Sequence, residues 1–404
     1  MSIAYPGHQN PEINFILREG HPDFSDLPWH LPLSNWAEIC PRLEDVPRGL
    51  TRHTVVFVNY DGILFALKEM PLRLAEKEYN TLIQIGALRI PAVTPIGLVS
   101  IQIPHDQIGV LITRYLEHSI PYRSLFMTGN LVRYREHLLD AISGLLVQLH
   151  LLGTYWGDCS LSNTLFRRDA GALQAYLVDA ETATIYPERT PASMRHQDLD
   201  IMEENVDGDI ADLATAHLLS AGIPTQDTGA YIRLRYQKLW EEITQEQIIS
   251  SGESYRIQER IRALNELGFS VSDMEMLNTE SGEQLRLRLV VSDRNFHRNQ
   301  LFDLTGLEAE ERQARQMMNE IQELRANLSH THNRSTPLSV AAYQWQIEIY
   351  QPTIQRLNPL IKEDMNLAEL YCQVLEHKWF LSEKAQRDVG HSAAIEDYLK
   401  KIVR

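Results

Sequence analysis

Cysteine is scarce in this chain of 404 residues: Cys40, Cys159 and Cys372 lie far apart and in no metal-ligand spacing. That excludes a disulfide framework and a thiolate metal cluster, and it fits a reducing compartment. Long apolar runs are lacking as well; none approaches the roughly eighteen residues that a membrane-spanning helix needs. The opening residues, MSIAYPGHQNPEINF, show no basic region followed by an apolar core. No secretory signal is therefore expected, and the cytoplasm is the expected compartment. Basic charge is in deficit, with 38 Lys and Arg against 54 Asp and Glu, a net of −16. Nucleic acid and anionic membranes are poor partners for such a surface. No internal repeat is visible. What the chain does have is length and 44% hydrophobic content, enough for two or three compact domains.

The first residues are rich in Pro, Trp and His and carry little periodicity, so 1–47 reads as an irregular extension with short helical pieces. From Val55 the pattern sharpens. VVFV, NYDG and ILFALKEM read as strand, turn and strand, with Asp61-Gly62 as the turn. A helix is predicted from about Leu72 to Ile85, then a second strand pair in VTPIGLVSIQ and QIGVLITRYL. Arg133 to Leu151 predicts a helix with Leu138, Ile142, Leu145, Leu146 and Leu149 on one stripe. A polar segment around IYPERTPASMRHQDLDIMEE follows, then a helix in DGDIADLATAHLLSAG, and Pro224 to Gly229 reads as a domain boundary. Beyond it a helix near Tyr255 to Leu267, a hairpin about TESG and a charged helix from about Glu308 to Leu328 precede a polar linker and a helical end. Trp379 and Phe380 read as helix-packing core there. His330 and His332 lack the further ligands that a metal site needs.

One stretch, YWGDCSLSNTLFRRDAGALQAYLVDAETA, concentrates chemistry. NTLF and AYLV read as strands folded about Gly171, and a turn centred there sets Asn163 opposite Asp179. Asp158 precedes Asn163 by five residues in the loop after the leucine-rich helix. Two carboxylates and an amide oxygen at one hairpin mouth suit a hard cation such as Mg²⁺. One carboxylate and the amide can hold the ion, while the other orients a hydroxyl and accepts its proton.

These residues resemble the protein-kinase-like superfamily, whose catalytic loop runs D-x-x-x-x-N with a second metal-binding Asp after a short hairpin. The resemblance implies that Asp158 is the catalytic base and that Asn163 and Asp179 are metal ligands, with ATP and Mg²⁺ as cofactors. WGDCSLSN looks more like the small-molecule and lipopolysaccharide-type kinases than the His-Arg-Asp of protein kinases. The whole chain also resembles an uncharacterised bacterial family that joins a lipopolysaccharide-kinase-like domain to a C-terminal domain of unknown function. The fold implied is α+β: a two-lobed kinase-like fold, then a mixed α/β region, then a helical region. Its expected divisions are 1–47, a small lobe 48–116, a large lobe 117–226, a helix-hairpin-helix region 227–330 and a helical end 331–404.

The resemblance assigns further roles. Lys68 ends ILFALK and would grip the ATP phosphates, with Ala66 two residues earlier leaving space for adenine. Its glutamate partner is Glu78, which falls in the apolar arc of Leu74, Ala75, Leu82 and Ile85, with Glu76 as the alternative and Glu69 on the opposite strand face. Thr113 would guard the adenine pocket, Arg114, Tyr115 and Leu116 would form the hinge, and Asp212 would brace the catalytic loop. No G-x-G-x-x-G precedes Val55; PRGLTRHT offers Gly49, Arg52 and His53 as phosphate contacts. Ser160 stands where protein kinases carry a lysine, and Asp179 is followed by Ala-Glu instead of Phe-Gly. The leading expectation is a phosphotransferase acting on a hydroxyl acceptor, a glycan, lipid-linked sugar or small molecule more than a protein. The alternatives are a pseudokinase that binds nucleotide without transfer, and a purely structural interaction protein. The C-terminal region is a candidate substrate-presenting or oligomerisation module.

Overall fold

The computed structural model describes residues 11–46, 52–104, 106–127, 131–219, 227–245, 247–250, 254–278, 284–332, 334–362 and 365–402. The chain divides into two compact units. The first is Met1–Phe166 with Ala175–Leu239, the second Arg167–Gln174 with Trp240–Arg404.

The first unit begins with a six-stranded antiparallel sheet in the order β1-β5-β6-β4-β3-β2. Its strands are β1 (Glu12–Leu17), β2 (Leu43–Glu44), β3 (Thr54–Tyr60), β4 (Ile63–Pro71), β5 (Thr94–Ile103) and β6 (Asp106–Arg114). Asp61 and Gly62 both take left-handed backbone angles and make the two-residue turn that pairs Tyr60 with Ile63. Alternation along β4 sends Phe65 and Leu67 into one apolar cluster and Met70 into another. The Met70 face packs under helix α1 (Leu72–Ala87).

The other face is covered by residues that the sequence suggested were an irregular extension. Strand β1 pairs with β5 along its whole length, and Phe24, Leu27, Trp29, Leu31, Leu33, Trp36 and Cys40 are all buried against the sheet. Both indoles reach backbone carbonyls, Trp29 Nε1 to Phe24 at 2.7 Å and Trp36 Nε1 to Leu31 at 3.0 Å. The segment lacks periodicity because it follows the sheet as turns, yet the second apolar face of the sheet has to be buried by something.

The rest of the first unit is mainly helical. Its elements are β7 (Ile120–Pro121), α2 (Tyr122–Met127), α3 (Leu131–Leu151), β8 (Thr154–Tyr155), β11 (Thr184–Ile185) and α4 (Ala192–Thr215), with parts of β9 (Thr164–Asp169), β10 (Ala172–Leu177) and α5 (Thr228–Thr244), whose remaining residues count with the second unit. The five stripe residues expected on α3 are fully buried, and so are Leu139, Val147 and His150 around the helix; α3 is a central helix. Helix α4 starts at Ala192, inside the segment read as polar and Pro-bearing, with Pro191 at its N-cap. By contact the two units divide at Leu239–Trp240, with Ile232 and Tyr236 on α5 buried in the first unit; residues 224–226 of the expected boundary lie outside the described residues.

The second unit contains β12 (Gln247–Ser250), α6 (Ser254–Glu266), β13 (Ser270–Asn278), β14 (Gln284–Asp293), α7 (Phe296–Thr305), α8 (Glu311–Thr331), α9 (Leu338–Trp345), α10 (Gln351–Leu357), α11 (Leu367–Ala385) and α12 (Gly390–Ile402). The three strands form one sheet in the order β12-β14-β13. A core of Leu301, Met317, Met318, Ile321, Trp345, Tyr350, Tyr371 and Cys372 holds the helices together. Arg167–Gln174, the tip of the β9–β10 hairpin, counts with this unit: Asp169 accepts from the Arg312 and Gln313 amides, both at 2.9 Å, capping α8. Trp379 and Phe380, expected in the core, are exposed. Among the described residues, no helix is long and apolar enough to cross a membrane.

Candidate active site

Lys68 sits on β4 between Val55 of β3 and Leu111 of β6. Its ammonium lies 3.0 Å from Glu78 Oε2, 2.6 Å from Asp179 Oδ2 and 3.9 Å from Glu181 Oε2. Helix α1 starts directly after β4, so the chain has to turn only once to bring Glu78 back over the lysine. Glu78 is buried whereas Glu76 is exposed. Burial and the neighbouring Asp179 charge push Glu78 up to about 7 against the pull of Lys68. Burial works against the Lys68 ammonium, but Glu78 and Asp179 outweigh it and hold the lysine above its ordinary value.

The catalytic-loop candidates form a second, connected group. Asn163 Nδ2 donates to the Asp158 carbonyl at 2.9 Å and to Asp158 Oδ2 at 3.1 Å. Asn205 Nδ2 on α4 donates to Asp158 Oδ1 at 3.0 Å and to the Cys159 carbonyl at 3.2 Å. Two bonds join this group to the other arm: Trp156 Nε1 to the Asp179 carbonyl (2.9 Å) and Val178 N to the Asn163 carbonyl (3.1 Å). The second bond corrects the expected register by one residue. The turn uses two left-handed residues, Ala170 and Gly171, so Asn163 faces Val178, and Asp179 follows just past the end of β10. Beyond the strand its side chain is released from the alternation that a one-residue shift would otherwise reverse.

The loop is braced from below, though not by Asp212, whose side chain is exposed on α4. Asp198 and Asp209 lie on the inner side of the same helix. Fully buried Asp198 accepts from Trp156 N and Gly157 N, both at 2.8 Å, and from His150 Nε2 at 3.0 Å. Asp209 accepts from Leu161 N at 2.9 Å and Ser162 N at 3.2 Å. The spacing 198, 205, 209 and the buried 202 and 206 mark one helical face, a signal that the sequence contained in QDLDIMEENVDGD. Ser160 is buried: its hydroxyl accepts from Asn163 N (3.1 Å) and lies 3.0 Å from Ser162 Oγ.

Across β4 and β6, Ala66 stands opposite Thr113. Arg114 ends β6, exposed and 3.3 Å from Glu117. Tyr115 N continues the ladder to the Leu64 carbonyl at 2.9 Å, and its ring meets Phe57 edge-on. Leu116 is half-buried in the connection that follows. Gly49 lies outside the described residues. Arg52 is exposed, and His53 Nε2 lies 3.0 Å from Glu181 Oε2. Lys77 Nζ reaches the Glu181 carbonyl at 2.7 Å.

Glu181 was not singled out in the sequence, although it was visible as the acid in the Asp-Ala-Glu that replaces Asp-Phe-Gly. One ligand atom each from Glu78, Asp179 and Glu181 lies within 4.8 Å of the others. This all-oxygen set suits a hard divalent cation such as Mg²⁺. Asn163, whose Nδ2 is committed to Asp158, has Oδ1 as its remaining acceptor.

Comparison with known proteins places these residues in a family context. Residues 64–232 match the model of the lipopolysaccharide kinase (Kdo/WaaP) family. Residues 238–403 match a domain of unknown function, DUF4032. Among solved structures, WaaP in complex with acyl carrier protein is similar at 17% identity and a TM-score of 0.36, over 56% of this chain and 100% of that one. No curated protein matches the chain. Each of the two family models matches less than half of the chain, and the matched segments follow one another with a short gap between residues 232 and 238.

Proposed function

We propose that the first unit is an ATP- and Mg²⁺-dependent phosphotransferase that moves the γ-phosphoryl group to a hydroxyl of a glycan, lipid-linked sugar or small molecule. The observation that carries this reading is the Lys68 ammonium held between Glu78 and Asp179 at 3.0 and 2.6 Å. A cation tied at once to a buried helix acid and to the hairpin acid is poised to receive phosphate oxygens. The kinase family matched over residues 64–232 supports the same chemistry. Ala66 and Thr113 would flank the adenine, and Arg114, Tyr115 and Leu116 would form the edge along which it lies. Arg52 and His53 would approach the phosphates.

Asp158 would accept the acceptor's hydroxyl proton as the new P–O bond forms and the bond from the γ-phosphorus to the ADP oxygen breaks. Asn163 and Asn205 hold the Asp158 carboxyl, which fixes the direction of that proton transfer. Asp179 and Asn163, with Glu181, would hold the metal, which when bound offsets the negative charge of the phosphates. A second reading, a pseudokinase, is favoured by Ser160, whose buried hydroxyl is engaged within the loop.

Thermal unfolding with ATP and Mg²⁺, followed by ATP turnover on a panel of glycan and small-molecule acceptors, tests the two. The transferase reading expects a nucleotide- and metal-dependent rise in melting temperature, and transfer that Asp158→Asn abolishes while nucleotide binding remains. Binding without transfer to any acceptor leaves the pseudokinase. No nucleotide binding under any metal condition overturns both.

A further inference from the structure

The second unit has a cleft of about 410 Å³ at the N-terminal end of α8, within the range of small-molecule sites. Arg312, Arg315, Gln316 and Asn319 line it from a single face of α8, and Arg294, Leu267 and Gly268 line it as well. Three guanidinium groups meet here in a chain whose net charge is −16, a local reversal of sign.

The one acid in the lining, Glu311, is already occupied. Its carboxylate accepts from His297 N (3.2 Å), His297 Nδ1 (2.6 Å) and Arg298 N (3.0 Å), capping α7. Arg294 is held in place: its Nε donates to the Leu267 carbonyl at 3.1 Å, and its guanidinium lies over the Phe269 ring at 5.6 Å. A guanidinium fixed in this way loses little freedom on meeting an anion, and its planar fork matches a phosphate edge.

Gln316 adds a second requirement. Its Oε1 is buried without a hydrogen-bond partner in the protein. A buried acceptor left unmatched costs free energy, so a donor belongs beside it. A fully deprotonated anion has no donor to offer, so a comparison with inorganic pyrophosphate belongs at a pH above its last ionisation. A phosphate ester carrying hydroxyl groups has both parts.

We propose that this cleft binds a small phosphorylated hydroxyl compound, a sugar phosphate or nucleotide, with Arg294, Arg312 and Arg315 on the phosphate and Gln316 Oε1 accepting from a hydroxyl. The site is separate from the residues assigned to phosphotransfer and stands whether or not that assignment does.

The test uses the full chain without metal and titrates inorganic pyrophosphate, ribose 5-phosphate and AMP by calorimetry. Wild type should bind at least one hydroxyl-bearing probe below about 1 mM. The double variant Arg312→Ala/Arg315→Ala should weaken that binding at least tenfold with its unliganded melting temperature unchanged, since both side chains are exposed. Gln316→Leu should erase the preference for ribose 5-phosphate over pyrophosphate. Lys68→Met should leave the ribose 5-phosphate titration as it is. Absence of binding, or binding that the double arginine variant does not weaken, overturns the proposal. Loss of binding in Lys68→Met alone would place the probe at the phosphotransfer residues and overturn the cleft while leaving the first unit's proposed activity standing.

Discussion

Replacing Asp198 by Ala probes the frame beneath the loop that carries Asp158 and Asn163. The carboxylate is fully buried and accepts two backbone N–H groups and one ring N–H at 2.8 to 3.0 Å. Burial lowers the His150 pKa, so the ring is neutral and carries one proton. With Nε2–H donating to Asp198, Nδ1 accepts from the Tyr236 hydroxyl at 2.8 Å. Alanine strands three buried donors at once, each worth about 1–3 kcal/mol when left unmatched. Removing a buried carboxylate returns part of its desolvation cost, which sets the net loss at about 3–5 kcal/mol. Trp156 and Gly157, the two residues released, lead directly into Asp158, so nucleotide-dependent stabilisation should fall with the loop. Urea unfolding read by tryptophan fluorescence measures the loss. Asp212→Ala is the control: exposed on the same helix, it should shift stability by less than about 0.5 kcal/mol. A loss below about 1 kcal/mol for Asp198→Ala, or one matched by Asp212→Ala, refutes the assignment of the brace.

Glu78, pushed up to about 7, keeps its proton in the folded state through a window where the unfolded chain, near 4.5, has released it. Stability from this group is therefore full below about pH 4.5 and is lost as pH rises toward 7, by at most about 1.4 kcal/mol per pH unit; Glu78→Gln should flatten that slope between pH 5 and 7 in unfolding titrations. Gly171→Ala, at φ +78° with nothing within 4 Å of an added Cβ, should cost only the left-handed strain of about 1–2 kcal/mol. Gly153→Ala should cost well over that, because its Cβ would lie 2.1 Å from the Glu188 carbonyl oxygen and 2.4 Å from that of Tyr186; equal melting temperatures for the two variants would contradict the packing. Lys68→Met leaves Glu78, Asp179 and Glu181 clustered without their ammonium. A unit charge removed at about 4 Å is worth up to about 4 kcal/mol near a protein surface, so Mn²⁺ affinity measured without nucleotide should rise at least tenfold; weaker binding would rule out the cluster as a cation site.

Most of the six-stranded sheet was legible from a period of two, whereas the Lys68–glutamate pair was implied by the kinase resemblance and the helical period only chose Glu78 over Glu76. A period of two places Phe65 and Leu67 on one face of β4 and Ala66 and Lys68 on the other, and a step of about 100° puts Glu78 among the buried residues of α1. Two kinds of information were hidden. The residues before β2 fold by covering a face that exists only once the sheet is assembled, and no local pattern announces that. Asp198, Asp209 and Asp212 are all acids on one helix; the apolar Met202 and Val206 mark the face that Asp198 and Asp209 share, a weak signal among so many acids. The register slipped by one because Ala170 takes a left-handed angle beside Gly171, a conformation that alanine seldom adopts.

The cations near the site are distributed unevenly. Lys68 is shared by three carboxylates, and Lys77 reaches the Glu181 carbonyl. Both compensate the acids around Asp179–Glu181. The described side-chain bonds to the Asp158 carboxyl come from neutral amides, Asn163 and Asn205, and the residue two places on is Ser160, turned inward to tie the loop. Charge that develops on a transferred phosphoryl group beside Asp158 would thus find amide dipoles on the acceptor side and positive charge on the other. A bare Asp158 carboxylate so close to phosphate oxygens is itself repulsive. The balance then rests on the divalent ion that the Asp179–Glu181 cluster would hold, so transfer should depend on that metal more steeply than nucleotide binding does. A Ser160 that only ties the loop removes one cation from the acceptor side without removing the base, and that leaves phosphotransfer chemically open.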